Sequence, residues 1–476
     1  MALNNIGNGV GNTAIGNSAL FTDSIGNDNT ASGLYALYHN RSGSNNTADG
    51  VQALFNNNGI NNTAVGWNAL LSNGGAHDNT AVGSMALDHN MIGIQNSALG
   101  SSALFFNQGG NNNVAAGWKA LYNNLNGSGN VAVGVNALLH NTSGFENVAT
   151  GGNALFSNTS GQDNTAVGED ALENNQSGSS NTAVGHFALR SNLQGGNTAV
   201  GNTALESNVN GSFNTATGNG ALVSNTNGGS NTAYGVSALF NNQGNSNTAV
   251  GINALASNVG SSDTGGNNIA LGANAGFNLT NGSNNIDIGN AGVAADANKI
   301  RIGTQGTQTG TFIAGIYNAN EGGTIKPVYV NNSGQLGTQP PASSRRFKKE
   351  IKPMDQTSEA ILGLKPVTFR YKDDDTGTPQ FGLIAEEVAK ADPNLVVRDE
   401  HGDIYTVRYE AVSAMLLNEF LKEHRKVENQ TTLIDGLRSA VTKQQRQIQA
   451  LTDGLRQVRE QQANGADSSH WITTSN

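Results

Sequence analysis

A unit of 16 or 17 residues recurs along the first 290 residues and leaves few folds open. It reads Asn-Thr-Ala-Val-Gly, two variable residues, Ala-Leu, then a turn rich in Asn, Ser and Gly. The leading Asn falls at Asn12, Asn29, Asn46, Asn62, Asn79, Asn96, Asn113, Asn130, Asn147, Asn164, Asn181, Asn197, Asn214, Asn231 and Asn247. The Gly four residues on, and the Ala-Leu seven and eight residues on, occur in all fifteen copies. Weaker copies start at Asn268 and Asn285, where the Leu is lost, and Ile300-Arg301-Ile302-Gly303 is a degenerate echo. Helical repeats need about 33 residues or more, so this period excludes them. It suits one coil of a parallel β-solenoid: a short strand, a Gly-permitted corner, a second short strand and a turn. Coils stack roughly 4.8 Å apart, so seventeen of them would reach on the order of 80 Å.

Each unit offers mainly two Ala, one Val-like residue and one Leu for burial. That is thin against roughly 1–2 kcal/mol per residue of backbone entropy lost on ordering. The sequence therefore predicts an oligomeric rod in which several chains bury the Ala-Leu face around one axis. An Asn recurring at one site predicts side-chain amide ladders along the rod. The Asn-Thr-Ala-Val-Gly core resembles the head repeats of trimeric autotransporter adhesins, although its period is longer. That resemblance implies a trimeric parallel β-roll.

Charge divides the chain at Ser343. Residues 1–342 hold 6 Lys/Arg and 15 Asp/Glu, whereas residues 343–476 hold 19 and 20. The weakly acidic front argues against nucleic-acid binding by phosphate neutralisation. With no Cys there is neither a disulfide nor a thiolate metal site, and no cofactor or metal is expected. Met1-Ala2-Leu3-Asn4-Asn5 has no basic start or apolar run, so no secretory signal is read. No apolar stretch reaches membrane-spanning length. Trp67, Trp118, Tyr122 and Phe156 lie in variable slots or turns, where a sugar could stack, but their scatter favours packing. The rod carries no carboxylate pair of the kind that cleaves glycans.

The period fails from Ala291 to Ala342. Lys299–Ile302, Thr311–Tyr317 and Pro327–Val330 read as strands, Asn331-Asn332-Ser333-Gly334 as a turn, and Thr338–Ala342 as an accessible linker.

Past the linker come four blocks: Ser343-Ser344-Arg345-Arg346-Phe347-Lys348-Lys349-Glu350-Ile351, then Ile361–Tyr371, Phe381–Val388 and Val407–Ala411. Together they resemble the intramolecular chaperone domain of phage endosialidases and tail fibres, the S74 family of self-cleaving peptidases. The resemblance implies a domain that helps a trimeric β-rich fibre fold and then cuts itself off with a Ser-Lys pair, acting on its own chain. Carried onto this sequence, the nucleophile is Ser343, the base is Lys348, and the scissile bond is Ser343-Ser344. Where many relatives carry an acidic or amide residue after the Ser, this chain has Ser344. Ser344 and Lys349 repeat the five-residue spacing, but the Ser-x-Arg-Arg-x-Lys pattern aligns with the first pair. A Lys serves as base only when neutral, which burial and nearby positive charge promote. Arg345, Arg346 and Lys349 supply the charge. His401 and His424 read as surface residues.

After Tyr409 the pattern turns helical. Val427, Ile434, Val441, Ile448 and Leu455 share one heptad site, and Gln430, Leu437, Gln444, Leu451 and Val458 the other. The seam would join chains at the C-terminus and set the register of rungs that are all alike.

The fold class read from the sequence is mostly β: a trimeric parallel β-solenoid fibre, a small α/β chaperone domain and a C-terminal coiled coil. The segments are 1–290 (repeat shaft), 291–342 (neck and linker), 343–410 (chaperone and autoprotease core), 411–462 (helix and coiled coil) and 463–476 (disordered tail). The reading is a homotrimeric tail fibre or surface appendage that releases its chaperone, with a host-surface glycan or protein as receptor. The alternative is a permanent, uncleaved fibre whose C-terminal domain only trimerises.

Overall fold

A computed structural model describes residues 7–261, 264–314, 316, 326–331, 333–340, 342–372, 377–399 and 401–466. The N-terminal Met1–Asn5 and the end of the predicted tail, 467–476, lie outside them. The chain forms two compact units, Met1–Ile325 and Lys326–Asn476.

The first unit is a parallel β-solenoid. Eighteen three-residue strands, from Thr13–Ile15 to Ile300–Ile302, form one sheet in which each strand pairs in register with the next. Thr13, Ala14 and Ile15 face Thr30, Ala31 and Ser32, and so on along the chain. Alternation along a strand sends the central residue inward and its neighbours outward. The central column is Ala at sixteen of the eighteen strands.

One strand forms per coil. The Ala-Leu segment, read as a second strand, is instead a run of turns, with the Leu in left-handed backbone, as at Leu138 (φ 54°) and Leu155 (φ 52°). A non-Gly residue in that region costs roughly 1–2 kcal/mol. Complete burial of a Leu contributes about 1.5–3 kcal/mol. Leu20 through Leu255 form a fully buried stack, flanked by the Ala of the strand and the Ala before each Leu.

The core is therefore closed within one chain, which overturns the reading that partner chains bury the Ala-Leu face. The Val-like residue is the other correction. It occupies the third, outward strand position and stays exposed, as Val133 and Val167 do. A coil that turns on itself every 16 or 17 residues has an inside of its own, and Ala, Leu and Asn fill it.

Two Asn columns complete that inside. From Asn29 on the leading Asn is buried, and each reaches the rung before it: Asn147 donates from Nδ2 to Asn130 Oδ1 at 3.1 Å and from its backbone N–H to the same oxygen at 3.1 Å. Its second amide hydrogen goes to Gly161 O at 2.9 Å. Eleven residues after the leading Asn, from Asn29 to Asn247, stands a second buried column, Asn40 through Asn258, with Asp23 in that place on the first rung. Asn158 of this column donates to Asn141 Oδ1 at 2.9 Å and also to Gly161 O at 3.0 Å. One backbone carbonyl thus joins the two ladders on a rung, usually that of a glycine and in two rungs that of Ala76 or Gln194. The signal was present in the sequence as a fixed offset inside the polar turn.

The solenoid ends where this chemistry stops. Asp287 replaces the central Ala and lies beside Arg301 of the last strand. Arg301 is held by Asp296, Nε to Oδ2 at 2.5 Å and Nη2 to Oδ1 at 3.0 Å. Burial, reinforced by the Asp296 charge and opposed by Arg301, pushes the Asp287 carboxyl up to about 6. Terminal rungs of a solenoid are expected to be atypical, because nothing stacks on them. In the neck, Tyr329–Val330 and Leu336–Gly337 form a short antiparallel hairpin. The described part of predicted strand Thr311–Tyr317 is not extended into any sheet; Gly315 and Tyr317 lie outside the described residues.

Besides that hairpin, the second unit holds two antiparallel strand pairs, Val367–Phe369 with Gln380–Gly382 and Val396–Arg398 with Ile404–Val407. A short helix α1 (Ala385–Ala391) and a long helix α2 (Tyr409–Ala466) accompany them. The long helix runs through residues 463–466, which the sequence had assigned to a disordered tail. Val388, Leu395, Val396, Val407 and Met415 form a small core.

Two outcomes follow. At Gly151 (φ 137°) an added Cβ would sit 2.4 Å from Gly168 O, whereas beside Gly152 nothing lies within 4 Å. Gly151→Ala should lower the shaft's melting temperature by several degrees, and Gly152→Ala should not; circular dichroism melts compare them. For Asp287 the folded state favours the neutral acid, so stability falls as pH rises from about 4 to about 6. Asp287→Asn should raise the melting temperature at pH 7.5, with the gain vanishing near pH 4.

Candidate functional site

The tail opens with a tight turn that brings the sequence-predicted pair together. Residues Arg345–Phe347 form a single turn of 3-10 helix. The Phe347 N–H donates to Ser344 O at 3.0 Å and the Lys348 N–H to Arg345 O at 3.1 Å. One tight turn folds a five-residue spacing back on itself, and Lys348 Nζ donates to Ser343 Oγ at 3.0 Å. No corresponding contact joins Ser344 to Lys349 among the described residues; Ser344 contributes its carbonyl to the turn instead. The Arg346 guanidinium lies 4.6 Å from the centre of the Phe347 ring.

Ser343, Ser344, Lys348 and Lys349 are all exposed in this single chain. The turn therefore provides contact without enclosure. A hydroxyl held at hydrogen-bond distance from an amine has the geometry of a nucleophile and base, and here both groups lie open to solvent.

The other three sequence blocks meet one another in the C-terminal unit. Tyr409 starts α2 and accepts at Oη from the Leu383 N–H at 3.1 Å, tying the Phe381–Val388 block to the Val407–Ala411 block. Gly382 makes room for that ring, since a Cβ there would lie 2.8 Å from Tyr409 Oη and 3.2 Å from Phe369. The Arg408 N–H donates to Leu395 O at 2.8 Å and its Nη1 to Asn394 O at 3.3 Å. The segment Asp355–Gly363 docks on α2 through buried Ser358, which donates to Glu419 at 2.5 Å and accepts from Asn418 Nδ2 at 2.7 Å. Lys422 binds Glu419 at 2.7 Å and Glu359 at 3.2 Å. The Lys422 ammonium holds the Glu419 carboxyl below its ordinary range, with the Ser358 hydroxyl adding to the effect. Between 60 and 63 residues separate Ser358 and Glu359 from these partners on α2, so no local pattern announced them.

Large apolar side chains of the C-terminal unit remain open to solvent: Phe347 is 61 % exposed, Phe381 82 % and Phe420 66 %. Along α2 the heptad residues Val427, Ile434, Leu437, Val441, Ile448, Leu451, Leu455 and Val458 are exposed as well. His401 lies in the Asp399–Asp403 turn, and His424 pairs with Glu428 along the helix surface at 3.5 Å. In the shaft, Trp67 and Trp118 are exposed, Tyr122 stacks on Phe105 at 5.1 Å, and Phe156 meets the edge of His140 at 4.9 Å.

Residues 343–397 match the family model of Peptidase S74, the chaperone of endosialidase. This chain carries a chaperone-of-endosialidase domain. With the β-solenoid ahead of it, the domain fits a tail-fibre-like protein. The match begins at Ser343, takes in Lys348 and α1, and ends within the strand Val396–Arg398. No curated protein and no solved structure matches the chain. Among the described residues, no helix is long and apolar enough to cross a membrane.

The joint between Gly382 and Tyr409 has a measurable signature. Tyr409→Phe should cost about 1 kcal/mol by leaving the Leu383 N–H without its acceptor. Gly382→Ala should cost a similar amount by displacing the same hydroxyl. The double variant should cost clearly less than their sum, read as urea midpoints of the helical circular dichroism signal.

Proposed function

We propose that this chain forms a homotrimeric fibre whose C-terminal domain acts as an intramolecular chaperone and then releases itself by cutting the Ser343-Ser344 bond. The contact between Lys348 Nζ and Ser343 Oγ, at the first residues of the family match, carries the reading. In this scheme a neutral Lys348 takes the Ser343 hydroxyl proton, and the activated oxygen attacks the peptide carbonyl. Lys348 passes that proton to the Ser344 nitrogen as the C–N bond breaks, the amine leaves with the domain, and water hydrolyses the resulting ester to restore the serine hydroxyl.

Assembly supplies what the single chain lacks. The exposed Phe347, Phe381 and Phe420, and the heptad stripe of α2, are apolar surfaces that copies of the chain would cover. Covering Phe347, four residues from Ser343 in sequence, would exclude water from the Ser343 and Lys348 pair, with Arg345, Arg346 and Lys349 adding like charge nearby in sequence. Cleavage would then report completed folding. The helix would gather chains before the rungs stack, which guards against slips among coils that are nearly identical. The shaft serves as spacer and as adhesin for a host-surface glycan or protein, on a virion tail or an extracellular appendage.

The second reading is a permanent fibre, favoured by the solvent around both dyad residues. Mass spectrometry of the purified chain separates the two. The first predicts a product ending at Ser343, lost in Ser343→Ala and Lys348→Ala and formed more slowly as pH falls. Full-length material with an ordered C-terminal helix would establish the second, and an unchanged cut in Ser343→Ala would remove Ser343 as nucleophile.

A further inference from the structure

We infer that the outward face of the shaft's strand column is the surface on which copies of this chain pack against one another. This rests on the homotrimer proposed above and names the interface within it. Each strand sends its first and third residues outward, so the face is two columns wide and eighteen strands long. Every first position is Thr, Val or Ile except Ser97, and every third position is uncharged except Asp49. Apolar side chains on it stand in solvent in the single chain: Ile15, Leu99 and Tyr234 are 60 % exposed or more. The Ala, Leu and Asn columns are consumed inside the coil, so this face is what the repeat leaves over for a partner.

Several features select a second copy as the occupant. The face repeats every rung, roughly 4.8 Å, and a ladder of the same period can fit it side chain for side chain along its length. A copy of this shaft has that period by construction. A three-residue strand is about 10 Å long and the column about 80 Å, a strip of about 800 Å². That equals the roughly 800 Å² per partner of a stable protein interface. The exposed heptad stripe of α2 calls independently for copies of the same chain. An uncharged, β-branched strip also carries no like-charge repulsion when it meets itself, apart from Asp49.

The absence of native Cys makes the test direct. Val133→Cys and Val184→Cys place single thiols on the face, and Ser143→Cys places one in the polar turn; all three sites are exposed and should tolerate the change. Full-length variants are treated with a short bismaleimide, run on denaturing gels and weighed by light scattering. Cross-linked dimers from Val133→Cys and Val184→Cys, with little from Ser143→Cys, are expected of a trimeric sample. A trimer that cross-links through Ser143→Cys and not through the two Val positions would overturn this interface and leave the trimer standing. A monomer by light scattering would overturn both.

Discussion

Everything in the shaft depends on burying the amide of asparagine with its hydrogen-bonding groups met from rung to rung, as they are along both columns until Asn258 Oδ1 at the end of the second. A buried amide with missing partners costs several kcal/mol, so a column of them is ruinous unless each rung completes the next. Here the completion is built into the period. Asn147 uses one amide hydrogen on Asn130 and the other on Gly161 O, and Asn158 reaches the same carbonyl. The ladder fixes the rungs in register along the stack, and it removes the need for a thick apolar core. It also explains how a chain so poor in large apolar residues can have a closed interior.

The same economy of interior has a consequence for the exterior. Because Ala, Leu and Asn are used inside, the β-branched residues are free to stand outside on the strand face. Left-handed backbone at each buried Leu is tolerated because the stack on either side holds it there. The end of the rod is marked by the exchange of Ala for Asp287 and Arg301, charged groups that no further rung could cover. A rod ended this way stops growing by its own chemistry.

The C-terminal unit follows the opposite logic. Its buried core is small, and its network of Ser358, Asn418, Glu419 and Lys422 joins segments distant in sequence. Ser343 and Lys348, by contrast, are local: a single 3-10 turn suffices to join them. Local contact with open surroundings suits a device that is armed only when its surroundings close.

The sequence by itself determined the rung. The period, the Gly at every corner, the Ala-Leu pair and the leading Asn dictated a parallel coil, and the spacing of Ser343 and Lys348 allowed their meeting. Only the tertiary structure decided which residues lie inside. The Val of each strand looked like core and is surface, the Ala-Leu pair looked like an interface and is core, and Asn40 through Asn258 looked like turn and form a second ladder. Hydrophobicity ranks residues, but it does not say where a coil closes. That depends on backbone torsions such as the left-handed Leu, and these follow from the stack as a whole, not from any one repeat.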